Sequence, residues 1–188
     1  RGVLMMRIAG FEQIARDLGH VGEFYTLTAP SRFHARLAIS GLANPKYTEQ
    51  TPREAQANLC EPWARIRAAM HRRGLQVYVF RVAEAHHDGT PHWHMLLFMN
   101  PVMVTKIREL MAAYAVKDSP EELGLVPLAM QIGGTYWAKI APRFKAVPID
   151  WSRGSAAGYI AKYIAKNIDG HGIEVDLEGR DAKDSASR

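Results

Sequence analysis

FRVAEAHHDGTPHWHMLLFM, from Phe80 to Met99, is the stretch that decides the fold. Read with the residues just before it, Gln76 to Glu84 (QVYVFRVAE) is rich in β-branched and aromatic residues and predicts a strand. Asp88-Gly89-Thr90-Pro91 is turn chemistry, and His92 to Met99 (HWHMLLFM) is a second strand, so residues 76–99 read as a β-hairpin. Side chains alternate along a strand, which puts His92 and His94 on one face and Trp93 on the other. Two imidazoles about 7 Å apart at that rise can chelate one metal ion. With the turn at Asp88-Gly89, Glu84 falls opposite the His92–His94 stretch, where a third ligand belongs. A bare His-x-His is often no more than two hydrogen-bonded core histidines. Here an apolar run follows it, a carboxylate faces it and a tight turn precedes it, and together these favour a metal.

Outward from the hairpin, strands alternate with helices. Val3 to Leu18 predicts an amphipathic helix ending at Gly19, and Glu23 to Thr28 a strand closed by Pro30. Thr51 to Glu54 (TPRE) combines an N-cap, a first-turn Pro and a capping-box Glu, opening a helix that runs to about Arg73. Val104 to Val116 predicts a helix, Ser119 to Leu123 a short one, Lys145 to Ile149 a strand and Ser155 to Asn167 a further helix. An antiparallel hairpin among helices makes the chain α+β.

The 188 residues suit one domain with a tail. Hydrophobic residues are 47% and charged residues 23%, which excludes a wholly disordered chain. The single cysteine, Cys60, excludes a disulfide framework and a cysteine-based zinc site. No apolar run reaches the ~20 residues of a membrane helix, and no signal-peptide pattern opens the chain, so the expected compartment is the cytoplasm. The opening residue is Arg1, which we read as a piece of something longer. The net charge of +5 is unevenly placed. Trp63 to Arg81 carries Arg65, Arg67, Arg72, Arg73 and Arg81 with no acid. Lys139 to Lys166 carries six Lys/Arg against Asp150. Residues 169–188 turn polar and acidic and read as a tail or linker. The basic segments permit a polyanion partner.

Gly158 to Lys166 reads GYIAKYIAK. Tyr159 and Tyr163 are i,i+4 and share a helix face, as do Lys162 and Lys166. A phenol needs help to act as a nucleophile, and a neighbouring Lys favours the phenolate and holds a phosphate. Two imidazoles and a carboxylate suit Mn²⁺ and Zn²⁺, whereas Mg²⁺ prefers oxygen. By these residues alone, a zinc-dependent hydrolase would use the metal and leave the tyrosines idle. A non-catalytic nucleic-acid module would leave the metal ligands idle.

The His92-Trp93-His94 pair and the two tyrosines together resemble the HUH endonucleases, and within them the bacteriophage replication gene A protein family. The resemblance rests on FYTLTAPSRFHA (Phe24–Ala35), TPREAQANL (Thr51–Leu59), the Phe80–Met99 stretch and AAGYIAKYIAKN (Ala156–Asn167). It implies a nickase-ligase domain over residues 1–168, with a central antiparallel sheet of about five strands, RNA-recognition or ferredoxin-like, flanked by helices. It also implies nicking of single-stranded DNA at a replication origin through a 5′-phosphotyrosine, which initiates rolling-circle replication. Tyr159 and Tyr163 would be the nucleophiles, aided by Lys162 and Lys166. His92, His94 and Glu84 would hold Mn²⁺ or Mg²⁺, with His86 or His87 as substitutes for the third ligand. Thr26, Thr28, Ser31, Arg32, His34, Arg81, Lys145 and Arg153 are the candidate DNA contacts. Expected partners are host helicase and polymerase, in the bacterial cytoplasm and away from membranes. Relaxases and single-strand transposases share the chemistry and stay as alternatives.

Overall fold

A computed structural model describes residues 2–125, 134–152 and 154–161. The helix predicted at the N-terminus is α1 (Gly2–Asp17), and the strand after it is β1 (Val21–Thr28). The helix α2 (Pro52–Arg72) starts where TPRE predicts. The Thr51 hydroxyl accepts from the Glu54 amide at 3.3 Å, and the Thr51 amide donates to the Glu54 carboxylate at 2.7 Å. The hairpin is β2 (Val77–Ala85) and β3 (Pro91–Met99), followed by α3 (Val104–Ala115). Then come α4 (Gly134–Ile140), β4 (Phe144–Pro148) and the start of α5, residues 156–161.

The four strands form one antiparallel sheet in the order β2-β3-β1-β4. With α2 joining β1 to β2 and α3 joining β3 to β4, this is the β-α-β-β-α-β ferredoxin-like arrangement. The α+β class and the antiparallel sheet agree with the expectation. The strand count does not: among the described residues there are four strands rather than about five. The described part of the α3–β4 connection spends its residues on a 3-10 turn (Pro120–Leu123) and on α4, not on another sheet edge.

Both faces of the sheet are covered, which explains why β3 reads as a nearly continuous apolar run. Trp93, Met95, Leu97 and Met99 join Tyr25 and Leu27 under α2 and α3, packed with Leu59, Ile66, Ile107 and Met111. Leu96 and Phe98 point the other way and join Phe24, Ile8 and Ala15 of α1, Ile149, and Ala156 and Ile160 of α5. The second face therefore carries α1 and α5, and His92 and His94 belong to it by alternation. Gly22 of β1 lets this layer close. A Cβ there would lie 3.2 Å from Ile149 Cγ1 and 3.3 Å from the Trp151 ring.

Candidate active site

The register delivers the three expected ligands to one spot. Glu84 pairs with His92 across β2–β3, while Thr26 pairs with His94 and Thr28 with His92 across β1–β3. All five side chains share the α1/α5 face. The Glu84 Oε2 atom lies 2.5 Å from His94 Nε2 and 3.4 Å from His92 Nε2. One ligand atom from each of the three residues falls within 4.8 Å of the other two, and all three residues are buried. Burial alone would raise the Glu84 carboxyl, but hydrogen bonds and charge from His92 and His94 outweigh it and hold the group well below the usual carboxylate range. A buried anion converged on by two imidazoles is the donor set a divalent cation takes, so the residues fit the metal that the motif implies. His94 Nδ1 lies 3.2 Å from Thr26 Oγ1. With an ion on Nε2, Nδ1 would carry the hydrogen and donate to the threonine, which would fix ring and tautomer.

The start of α5 sits over this face. Ser155 caps it, its hydroxyl accepting from the Gly158 amide at 2.9 Å. The buried Glu12 of α1 accepts from the Ala157 amide at 3.3 Å, placing a carboxylate at the positive end of the helix. Tyr159 on this first turn is 37% exposed. Its ring centroid is 5.7 Å from that of Phe24, and Phe24 stacks on His94 at 5.5 Å with an interplanar angle of 16°. Phe24 thus connects the tyrosine to the ligand cluster, a role its sequence position did not announce because an aromatic in a strand reads equally well as core.

The other candidates separate. His86 does not join Glu84, His92 and His94. It groups with His34 and Asp88 instead, its ring perpendicular to His92 at 5.4 Å, and His87 packs on His86 at 4.2 Å. Burial pushes His86 down to about 3, with His92, His87 and His34 adding to the shift. The Ser31 amide donates to Glu122 at 3.0 Å. The Arg32 guanidinium is committed to Asp118 at 2.6 and 2.9 Å. Arg81 points to the opposite face, 3.8 Å over the Trp93 ring. Lys145 pairs with Thr26 in the register, so it shares the histidine face at an exposed edge. The basic segments are less continuous as a surface than as a sequence. Arg143 is 4% exposed and donates to the Asp118 and Ala115 carbonyls, and Arg65 pairs with Glu61. Tyr163, Lys162, Lys166 and Arg153 lie outside the described residues, as does the tail from 169 to 188. Among the described residues no helix is long and apolar enough to cross a membrane.

The sheet thus carries a buried cluster of two histidines and one carboxylate beneath a tyrosine-bearing helix, a donor set able to hold a divalent cation. The chain belongs to the bacteriophage replication gene A protein (GPA) family, whose model matches residues 1–171. It is 48% identical to the replication gene A protein of Escherichia phage 186 over 175 residues, 93% of this chain and 24% of that protein. It is 42% identical to a probable replication endonuclease from a prophage-like region of Salmonella paratyphi A over 189 residues, 99% of this chain and 22% of that protein. The replication gene A protein of Escherichia phage P2 is 41% identical over 196 residues, 98% of this chain and 24% of that protein. The chain therefore spans roughly a quarter of the length of the curated relatives it matches. No solved structure matches it.

Proposed function

We propose that this chain is the DNA-nicking and strand-transfer domain of a replication initiator of the rolling-circle type. Membership in the replication gene A family supports the reading, as does the printed name of a relative, a probable replication endonuclease. The observation that carries it is the row Glu84, His92, His94, Phe24, Tyr159 on one sheet face. A divalent cation, Mn²⁺ or Mg²⁺, held by Glu84, His92 and His94 would neutralise phosphodiester charge and polarise the phosphorus.

The tyrosine Oη of Tyr159 or Tyr163 forms a bond to phosphorus in single-stranded origin DNA, and the bond from phosphorus to the 3′ oxygen breaks. The phenol gives up its proton and the departing 3′ oxygen takes one up. The products are a 5′-phosphotyrosine and a free 3′-hydroxyl, with no water consumed. That 3′ end suits a host polymerase, with a host helicase to expose the template, in the bacterial cytoplasm. The chain's own contribution is positioning and charge: Lys162 and Lys166 favour a phenolate, and Thr26, Thr28 and Lys145 share the face on which the strand would lie. Two tyrosine nucleophiles four residues apart in sequence allow a second transfer at the regenerated origin while the first strand is still attached.

Single and double tyrosine variants test the reading. Tyr159→Phe and Tyr163→Phe should each keep some cleavage of a simple origin oligonucleotide, and the double variant none. Strand transfer between two oligonucleotides should need both. Undiminished cleavage by the double variant would end the proposal.

A further inference from the structure

The geometry points to a second metal site, separate from the Glu84, His92 and His94 cluster, built from His34, His86 and Asp88 and suited to a zinc-type divalent ion. One ligand atom from each of these residues lies within 4.8 Å of the others. Asp88 Oδ2 is 3.2 Å from His34 Nδ1, and Asp88 Oδ1 is 3.8 Å from His86 Nδ1. The side chains are 1%, 12% and 8% exposed for Asp88, His34 and His86. A histidine–aspartate hydrogen bond accounts for the first distance and not the second, which is too long for one. Ligands at about 2.0–2.2 Å from a tetrahedral ion stand roughly 3.4 Å from each other, close to the 3.2 Å between Asp88 Oδ2 and His34 Nδ1. Two imidazoles with one carboxylate select zinc or a similar transition ion over Mg²⁺ or Ca²⁺.

The Asp88 carboxylate and the backbone of both histidines are held by bonds that do not depend on an ion. The Thr90 amide donates to Asp88 Oδ1 at 3.0 Å, and the Thr90 hydroxyl donates to the Phe33 carbonyl at 2.9 Å. The Asn44 side-chain amide donates to the His34 carbonyl at 2.8 Å. The His86 amide donates to the Thr90 carbonyl at 2.8 Å, closing the hairpin turn. An ion here ties the segment leaving β1 to the β2–β3 turn, cross-linking positions over fifty residues apart in sequence. It thereby fixes that exit segment beside the strand bearing His92 and His94, and the site stands whether or not the chain nicks DNA.

The test is metal stoichiometry in the 188-residue chain, read by elemental analysis after equilibration with Zn²⁺ and gel filtration. The wild type should carry about two ions per chain, and His34→Ala about one. Asp88→Asn also drops to about one, and it keeps an oxygen for the Thr90 amide, so the turn survives the loss of the anionic ligand. The His92→Ala/His94→Ala variant should keep about one ion, and in that background Zn²⁺ should slow amide exchange in residues 31–37. A wild type with one ion, lost with His92 and His94 and untouched by His34→Ala, overturns the second site and leaves the first intact. One ion lost with His34→Ala and Asp88→Asn but kept in His92→Ala/His94→Ala upholds the second site and contradicts the first. An unchanged count in both His34→Ala and Asp88→Asn also overturns the proposal.

Discussion

Thr26 and Asp118 show how single side chains divide between chemistry and architecture. The Thr26 hydroxyl meets His94 Nδ1 at 3.2 Å, behind the nitrogen that faces the ligand cluster. Thr26→Val keeps the shape and removes the acceptor, so Mn²⁺ affinity measured by calorimetry should fall by about 10–100-fold while the fold stays intact. Asp118 does the opposite kind of work. Hydrogen bonds from Arg32 chiefly hold its carboxyl below the usual range, against the effect of burial, with Asn58 and Ser119 adding to them. A folded-state value below the unfolded one gives stability that is present above about pH 4 and lost as pH falls. Because Asp118 is 41% exposed, solvent screening keeps its worth to about 0.5–1 kcal/mol. Asp118→Asn should cost that much at pH 7 in urea unfolding, and the gap between wild type and variant should narrow as pH falls below about 4. Arg32 is a candidate DNA contact by the family resemblance, and in the structure its guanidinium is also bound to Asp118. Its partner lies 86 residues away, and nothing local announces it.

Elements with local signals were legible. TPRE carries its own hydrogen bonds, and the structure realises both of them. Thr51→Ala removes the cap and should lower unfolding stability by about 1 kcal/mol, seen as a shifted denaturation midpoint at unchanged slope. The hairpin was legible because alternation, turn residues and β-branched content all agree over residues 76–99. The four strand positions were read to within about two residues, which is the usual uncertainty of element ends. The helix α4 was missed: at seven residues it is too short to show a helical period. The cap on α5 was half legible. Ser155 stands at the predicted helix start, but Glu12 reaches the same helix end from 145 residues away.

On the scale of the whole molecule, one sheet divides two tasks between its faces. Beneath α2 and α3 lies a core of large apolar side chains centred on Trp93, Met95 and Leu97. Toward α1 and α5 the same strands present Glu84, His92, His94, Thr26 and Phe24, with Tyr159 above Phe24. The convergence of Glu84 with the histidine pair was legible because hairpin register is set by the turn. The grouping of His34 with His86 and Asp88 was not, because it depends on where the segment after β1 folds back. Arg143 misled the charge reading for a similar reason, being buried beneath the 3-10 turn at Pro120–Leu123 and bonded to Glu122. The central claim is that Tyr159 or Tyr163 becomes covalently joined to DNA at the sheet face that carries Glu84, His92 and His94. Its most direct measurement incubates the chain with a labelled single-stranded origin oligonucleotide and Mn²⁺, isolates any SDS-resistant adduct and maps the modified peptide by mass spectrometry. The account predicts an adduct on Tyr159 or Tyr163 that is absent in EDTA and absent in His92→Ala. An adduct on any other residue, or cleavage that leaves both DNA ends free of protein, would contradict it.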